Sequence, residues 1–277
     1  MIAAERSGLP HATVLVTASG SFVRADVVAG TLDTLRDDHG LEPDPDMIMP
    51  RQHLVVSPFP PSLRDPAHPL PPNTFSIRSG PVGSRAHRAE ARAWRPCSSE
   101  RPTVYLTLGT VFNTESGDLF ERSIRGLCEL HIELIVTVGR YVDPARFGPQ
   151  PDHVHIEHYI PQAELLPVCD LVVNHGGSGS VIGALAHGLP MVVLPMGADQ
   201  SLNASRCERL GVGVALDATR ATPRSIRGAV AGVLDDSAFR VAAEGIRDEI
   251  AALPGPEAVV PRLEALSRVA RRGRGGS

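Results

Sequence analysis

The chain predicts a doubly wound α/β fold, and three observations carry that prediction. From Thr103 onward, short runs of almost continuous apolar character alternate with segments of helical spacing. Glycine turns follow the ends of those runs, as at Gly109, Gly139 and Gly176. The 277 residues, 42% of them apolar and 21% charged, suffice for a substantial core in one large domain or two modest ones. Strands that are apolar on both faces belong in a parallel sheet covered by helices on each side.

Taken in order, Thr103–Leu108 is a buried strand ending at Gly109-Thr110, and Asp118–Leu130 is a helix with Leu119, Ile124, Leu127 and Cys128 at helical spacing. Ile132–Val138 is the next strand, followed by a proline loop and a short strand around Val154–Ile156. Gln162–Val168 forms a short helix and Asp170–Asn174 a strand. Strands at Met191–Leu194 and Val212–Leu216 flank a helix at Gln200–Leu210. Helices at Pro223–Leu234, Ala238–Leu253 and Glu257–Ala270 close the chain.

The first hundred residues are sparser. Val14–Val16 and Leu54–Val56 read as strands and Asp26–His39 as a helix, with proline-rich stretches between and after them. Two or three elements do not close a core alone. Residues 1–78 therefore read as part of a domain, 79–102 as a linker, 103–270 as the α/β domain and 271–277 as a basic tail.

Composition excludes several classes. A net charge of −4 leaves no electrostatic footprint for nucleic acid. No apolar run is long enough for a membrane span, and no signal-type core follows Met1, so a cytoplasmic protein is expected. Cys97, Cys128, Cys169 and Cys207 are widely spaced and read as reduced thiols, mostly buried.

The most informative stretch is Asp170 to Ser180, where an apolar strand ends in His175 and Gly176-Gly177-Ser178-Gly179-Ser180 leads into a helix. Unpaired N–H groups at a positive helix terminus suit a phosphate or diphosphate, and glycine allows the anion to approach the backbone. His175 adds a donor that is neutral or cationic near pH 7. An ordinary strand–helix turn with packing glycines remains the simpler alternative. Asp199-Gln200, just past the strand at Met191–Leu194, places a carboxylate beside a carboxamide able to grip adjacent sugar hydroxyls. Asp199 also suits a helix N-cap, and the two roles are compatible.

Gly177-x-Gly179 with Asp199 about twenty residues on resembles a dinucleotide fingerprint. The third glycine position holds Ile182, however, and the turn follows a late strand rather than the first. His153, His155 and His158 do not converge on one strand face, so no metal is expected there. Asp44-Pro45-Asp46 lies in a proline loop that follows no strand, and is not read as a metal-holding pair.

Tyr159-Ile160-Pro161-Gln162, the turn from His175 to Ser180, Gly188-Leu189-Pro190 and Asp199-Gln200 occur in an order that resembles the donor-binding half of family 1 nucleotide-sugar-dependent glycosyltransferases. That family has the GT-B fold and includes macrolide and plant secondary-metabolite transferases. The likeness covers about Thr103 to Leu266, and the preceding segment resembles the end of the family's acceptor domain.

The resemblance implies inverting, metal-independent transfer of a hexose from a UDP- or TDP-sugar, as co-substrate without a further cofactor. The acceptor would be a hydroxyl of a macrolide, polyketide or flavonoid type of molecule. It places Tyr159 against the pyrimidine, the Ile160 backbone at the base edge and Gln162 near base and ribose. Thr110, His175, Gly176, Gly177, Ser178, Gly179 and Ser180 would hold the diphosphate, and Asp199 and Gln200 the hexose. Gly183 stands where the family often has a ribose-binding glutamate.

The family's catalytic base is a histidine near the start of the acceptor domain. His11 lacks that context and reads as a loop residue, so no catalytic residue is assigned. Two full α/β domains need roughly 350–400 residues, so an N-terminal portion of about a hundred residues is expected to be missing. A non-catalytic nucleotide-sugar-binding fragment and an NAD-binding oxidoreductase domain are the alternatives.

Overall fold

The computed structural model describes residues 1–20, 24–79, 100–110 and 113–274. It divides into two compact units, residues 1–80 with 252–277, and residues 81–251. Most of the expected linker, and Cys97 within it, lies outside the described residues. Among the described residues no helix is long and apolar enough to cross a membrane.

In the larger unit, six parallel strands form one sheet: β4 (Thr103–Thr107), β5 (Glu133–Thr137), β6 (Val154–Glu157), β7 (Leu171–Asn174), β8 (Met191–Val193) and β9 (Gly213–Ala215). Their order is β6-β5-β4-β7-β8-β9. The chain starts at the centre, winds one way through β5 and β6, then returns to the other side of β4 with β7. Loops leaving β4 and β7 therefore diverge, and a crevice opens between them at the carboxyl edge.

Both faces of this sheet are covered, which is why its strands read as unbroken apolar runs. Val104, Leu106, Leu134, Val136, Leu171 and Val173 face a core shared with α3 (Leu119–Leu127) and α7 (Pro223–Asp235), through Leu127, Ile226 and Val230. The alternate residues Tyr105, Ile135 and Val172 are just as deeply buried on the opposite side. Helices α4 (Gln162–Leu165), α5 (Ser178–Leu185), α6 (Gln200–Arg209) and α8 (Ser237–Ala252) complete the unit. Its elements match the expected ones to within a few residues at each end.

The smaller unit carries three parallel strands, β1 (Ala12–Val14), β2 (Leu54–Ser57) and β3 (Thr74–Ser76), with β2 central and fully buried. Helices α1 (Ile2–Arg6) and α2 (Ala25–Asp38) are tied by the buried Arg36 guanidinium, which donates to both Glu5 carboxylate oxygens at 2.7 and 2.9 Å. Neither α1 nor β3 is expected from sequence.

The α/β domain was expected to run to residue 270, but everything from Ala252 belongs with the N-terminal strands. The reason is packing. Pro254 and Pro256 cannot continue a helix, and the Pro254 carbonyl accepts from the Arg78 N–H at 2.9 Å. Val259 then completes a core with Leu54, Val56 and Ile77, while Arg262 of α9 (Val260–Arg274) stacks on Phe75 at 3.9 Å. The few N-terminal elements thus obtain their missing layer from the far end of the chain. Helix α9 also reaches Arg274, past the expected start of the tail at 271.

Candidate functional site

The site begins with strand register. Thr107 of β4 pairs with Asn174 of β7 and, on its other side, with Thr137 of β5. The three strands end level, so Gly109-Thr110 and the turn at His175 emerge side by side. A cleft of about 500 Å³ opens there. Its lining includes Thr110, Tyr159, Ile160, Gln162, His175, Gly177, Ser178, Gly179, Ser180, Asp199 and Gln200, which are eleven of the twelve residues anticipated from sequence.

Glycine is needed on both sides of His175. A Cβ on Gly109 (φ +78°) would lie 2.5 Å from the imidazole Cε1, and one on Gly177 would run into Nε2. The ring is thus clamped between two bare stretches of backbone. Burial pushes its pKa down to about 4, against the opposing pull of the Asp199 carboxylate. His175 is therefore a neutral imidazole at pH 7, and its buried Nδ1 has no hydrogen-bond partner.

The remaining residue, Gly176 (φ +83°), does not line the cleft. A Cβ there would meet the Gln200 carbonyl oxygen and Val193 Cγ1, both at 2.9 Å. Its N–H donates to Asn174 Oδ1 at 2.7 Å, and its carbonyl accepts from Asn203 Nδ2 at 2.9 Å. It serves as the tightly held corner that lets α5 start immediately. The first-turn N–H groups of α5, which a helix cannot satisfy internally, then open on the cleft. The N-cap residue Gly177 supplies no side-chain cap to compete for them.

Asp199 stands at the N-cap position of α6 but makes no side-chain cap. Its Oδ2 instead accepts from Ser178 Oγ at 2.7 Å and from Asn203 Nδ2 at 3.1 Å, which links the start of α5 to the start of α6. The preceding residue, Ala198, holds φ +53°, a conformation uncommon for a residue with a Cβ. Gln200 is nearly fully buried, and its Oε1 accepts from the Met196 and Gly197 N–H groups at 2.7 and 3.1 Å. Its acceptor is committed to the loop, which leaves Nε2 as its donor.

At the other end, Tyr159 is 60% exposed, a large ring presented at the cleft mouth beside Ile160 and Gln162. Sequence reading missed the floor. Tyr105, Thr107 and Thr137 line it, with Gly109, Gly139, His158 and Ala198 at its edges. The available signal was a run of hydroxyl residues at the ends of otherwise apolar strands.

Other sequence candidates take separate places. His155 Nε2 pairs with the buried Glu133 carboxylate at 2.6 Å, His153 Nε2 with the Cys128 carbonyl at 3.1 Å, and His158 Nδ1 with the Gly139 carbonyl at 3.4 Å. The Asp44 carboxylate accepts from the Ile48 and Met49 N–H groups at 2.8 Å each and holds a loop of the smaller unit. His11, expected in a loop, directly precedes β1, with Nε2 2.8 Å from the Met49 carbonyl and its ring edge-on to His53. Burial raises the Cys169 and Cys207 thiols to about 12, so neither is a nucleophile.

Among the described residues the cleft lining holds no Lys or Arg. An anion there would be met by backbone N–H groups, the α5 dipole and neutral donors. The chain resembles known proteins over much of its length. The chain is 36% identical over 208 residues to 4'-demethylrebeccamycin synthase of Lentzea aerocolonigenes, covering 74% of this chain and 48% of that protein. It is also 36% identical over 176 residues to 3-alpha-mycarosylerythronolide B desosaminyl transferase of Saccharopolyspora erythraea, covering 63% and 42%.

The solved structure of spinosyn rhamnosyltransferase SpnG complexed with thymidine diphosphate superimposes with a TM-score of 0.73 at 26% identity, covering 95% of this chain and 69% of that one. The chain spans about half the length of the first two relatives. The model of the erythromycin biosynthesis protein CIII-like C-terminal domain matches residues 121–266, and the chain belongs to that family.

Proposed function

We propose that the protein acts in inverting, metal-independent transfer of a hexose from a UDP- or TDP-sugar to a hydroxyl of a small molecule of macrolide, polyketide or flavonoid type, in the cytoplasm. The observation that carries this reading is the gathering of Thr110, Tyr159, Gln162, the turn at His175 and Asp199 around one cleft where the winding of the sheet reverses. In this reading the pyrimidine stacks on Tyr159, with the Ile160 backbone at its edge and Gln162 toward the ribose. The α5 N–H groups, Thr110 and neutral His175 hold the diphosphate. Asp199 accepts from hexose hydroxyls and Gln200 donates to one. The structure of SpnG complexed with spinosyn aglycone supports a small-molecule acceptor.

Chemically, a base deprotonates the acceptor hydroxyl and its oxygen displaces the diphosphate at the anomeric carbon in one step. The residues at the start of α5 act on the leaving group, where charge grows in the transition state. No residue of this chain is assigned as the base. Against an NAD site stands the topology: the glycine turn follows the fourth strand of the sheet, whereas a dinucleotide fingerprint follows the first.

Calorimetric titration with TDP, UDP and NAD tests the binding reading, with the nucleoside diphosphates expected to bind. NAD binding without diphosphate binding would overturn it. Release of TDP from a TDP-sugar in the presence of an acceptor tests transfer, and binding without release would assign a donor-binding role alone.

A further inference from the structure

Ser178 enters the turn at His175 through its backbone, while its hydroxyl does something else. It is the first residue of α5, and its N–H opens on the cleft with those of Gly179 and Ser180. Its Oγ crosses instead to the start of α6, where it donates to Asp199 Oδ2 at 2.7 Å. A serine hydroxyl carries one hydrogen. With that hydrogen committed to the carboxylate, the side chain has none to give a phosphate.

Asp199 stands against its own local preferences. An aspartate at an N-cap ordinarily accepts from N–H groups two or three residues into its own helix. Asp199 makes no such cap, and the residue before it, Ala198, holds φ +53°. Such conformations persist where surrounding contacts hold them, and here the contacts come from Ser178 and Asn203. Asn203 is fully buried, and its Nδ2 lies 2.9 Å from the Gly176 carbonyl, 3.1 Å from Ser178 Oγ and 3.1 Å from Asp199 Oδ2. One amide thus ties turn, hydroxyl and carboxylate together. Both donors reach the same oxygen, Oδ2, which leaves Oδ1 for a ligand in the cleft that Asp199 lines.

We propose that Ser178, backed by Asn203, is a positioning residue for the sugar half of the donor: its hydroxyl turns the Asp199 carboxylate away from its own helix and sets Oδ1 for the hexose. This rests on the reading of the cleft as a nucleoside diphosphate sugar site. The Ser178 hydroxyl itself touches no ligand in this scheme; its contribution passes through Asp199, while its backbone N–H meets the diphosphate.

The test is a double-mutant cycle on the ratio of TDP-glucose affinity to TDP affinity, both measured by calorimetry on the full chain. Ser178→Ala keeps the N–H and removes the hydroxyl. It is expected to lower that ratio about threefold to tenfold, the scale of one hydrogen bond, with TDP itself bound as tightly as by wild type. Asp199→Ala should lower the ratio at least as far. Adding Ser178→Ala to it should change nothing more, because the carboxylate that the hydroxyl positions is gone. Weaker binding of TDP by Ser178→Ala would make the hydroxyl a support of the diphosphate or of the turn, and would overturn the assignment. So would an unchanged ratio in Ser178→Ala while Asp199→Ala lowers it, or losses that add in the double variant. An unchanged ratio in Asp199→Ala would refute the hexose reading of that carboxylate, and wild-type protein that takes up no TDP would refute the nucleotide reading; the assignment falls with either.

Discussion

His175 makes the larger unit sensitive to acid in a way that one substitution can isolate. Burial between Gly109 and Gly177 lowers its pKa from 6.5 to about 4 in the folded protein. Unfolded chain therefore binds a proton that folded chain refuses between those values. The stability contribution is fully present above pH 6.5 and is lost as pH falls toward 4. At roughly 1.4 kcal/mol per pH unit, the full loss is about 3 kcal/mol, of which about 2 kcal/mol has gone by pH 5.

The perturbation is His175→Gln, which retains a polar group and removes the titration. All three tyrosines of the chain, Tyr105, Tyr141 and Tyr159, belong to this unit. Urea unfolding followed by tyrosine circular dichroism, at pH 7.5 and at pH 5, therefore reads the relevant transition. Between those pH values the wild type should lose about 2 kcal/mol more than His175→Gln, a factor of about 30 in the unfolding constant. Equal losses in the two proteins would show that the imidazole is not held neutral by burial, and the account of its clamp would fail.

Four further outcomes follow from the same geometry. Gly177→Ala drives a methyl into His175, and Gly109→Ala adds a left-handed backbone penalty of about 1 kcal/mol to a similar collision; both should lower the melting temperature and cut TDP affinity at least tenfold by calorimetry. Asn203→Leu removes the donor that serves Gly176, Ser178 and Asp199, and should destabilise by about 1–3 kcal/mol in urea. Asp199→Ala should reduce affinity for a TDP-sugar more than for TDP, and equal losses would contradict its hexose role. Val259→Ala should cost the smaller unit roughly 1.5–2.5 kcal/mol, seen as faster amide exchange across Leu54–Ser57 with exchange across Leu171–Asn174 unchanged.

The larger unit was legible because its signals are local. Val104–Leu108 and Leu171–Val173 are apolar on both faces, and each run ends in a residue type that stops a strand. The turn at His175 was legible for the same reason, since glycine and histidine side by side at a strand end are a local pattern. What escaped detection depends on partners distant in sequence. Strand β3 is three half-buried residues next to prolines, too short for any period. Helix α1 buries none of its residues and leans on the Glu5–Arg36 pair, thirty-one residues apart. Helix α9 shows an apolar stripe, but a stripe does not name the sheet it will cover. Tyr105 and Thr137 read as ordinary strand residues, and only the register between β4 and β5 brings their hydroxyls together.

The central claim is that the corner where β7 gives way to α5 is built to hold a diphosphate. A crystal of the protein soaked with a TDP-sugar tests it most directly. Phosphate oxygens are expected at the N–H groups of Ser178 to Ser180 with His175 alongside, and the thymine ring on Tyr159. Density at another place on the molecule, with this corner empty, would contradict it.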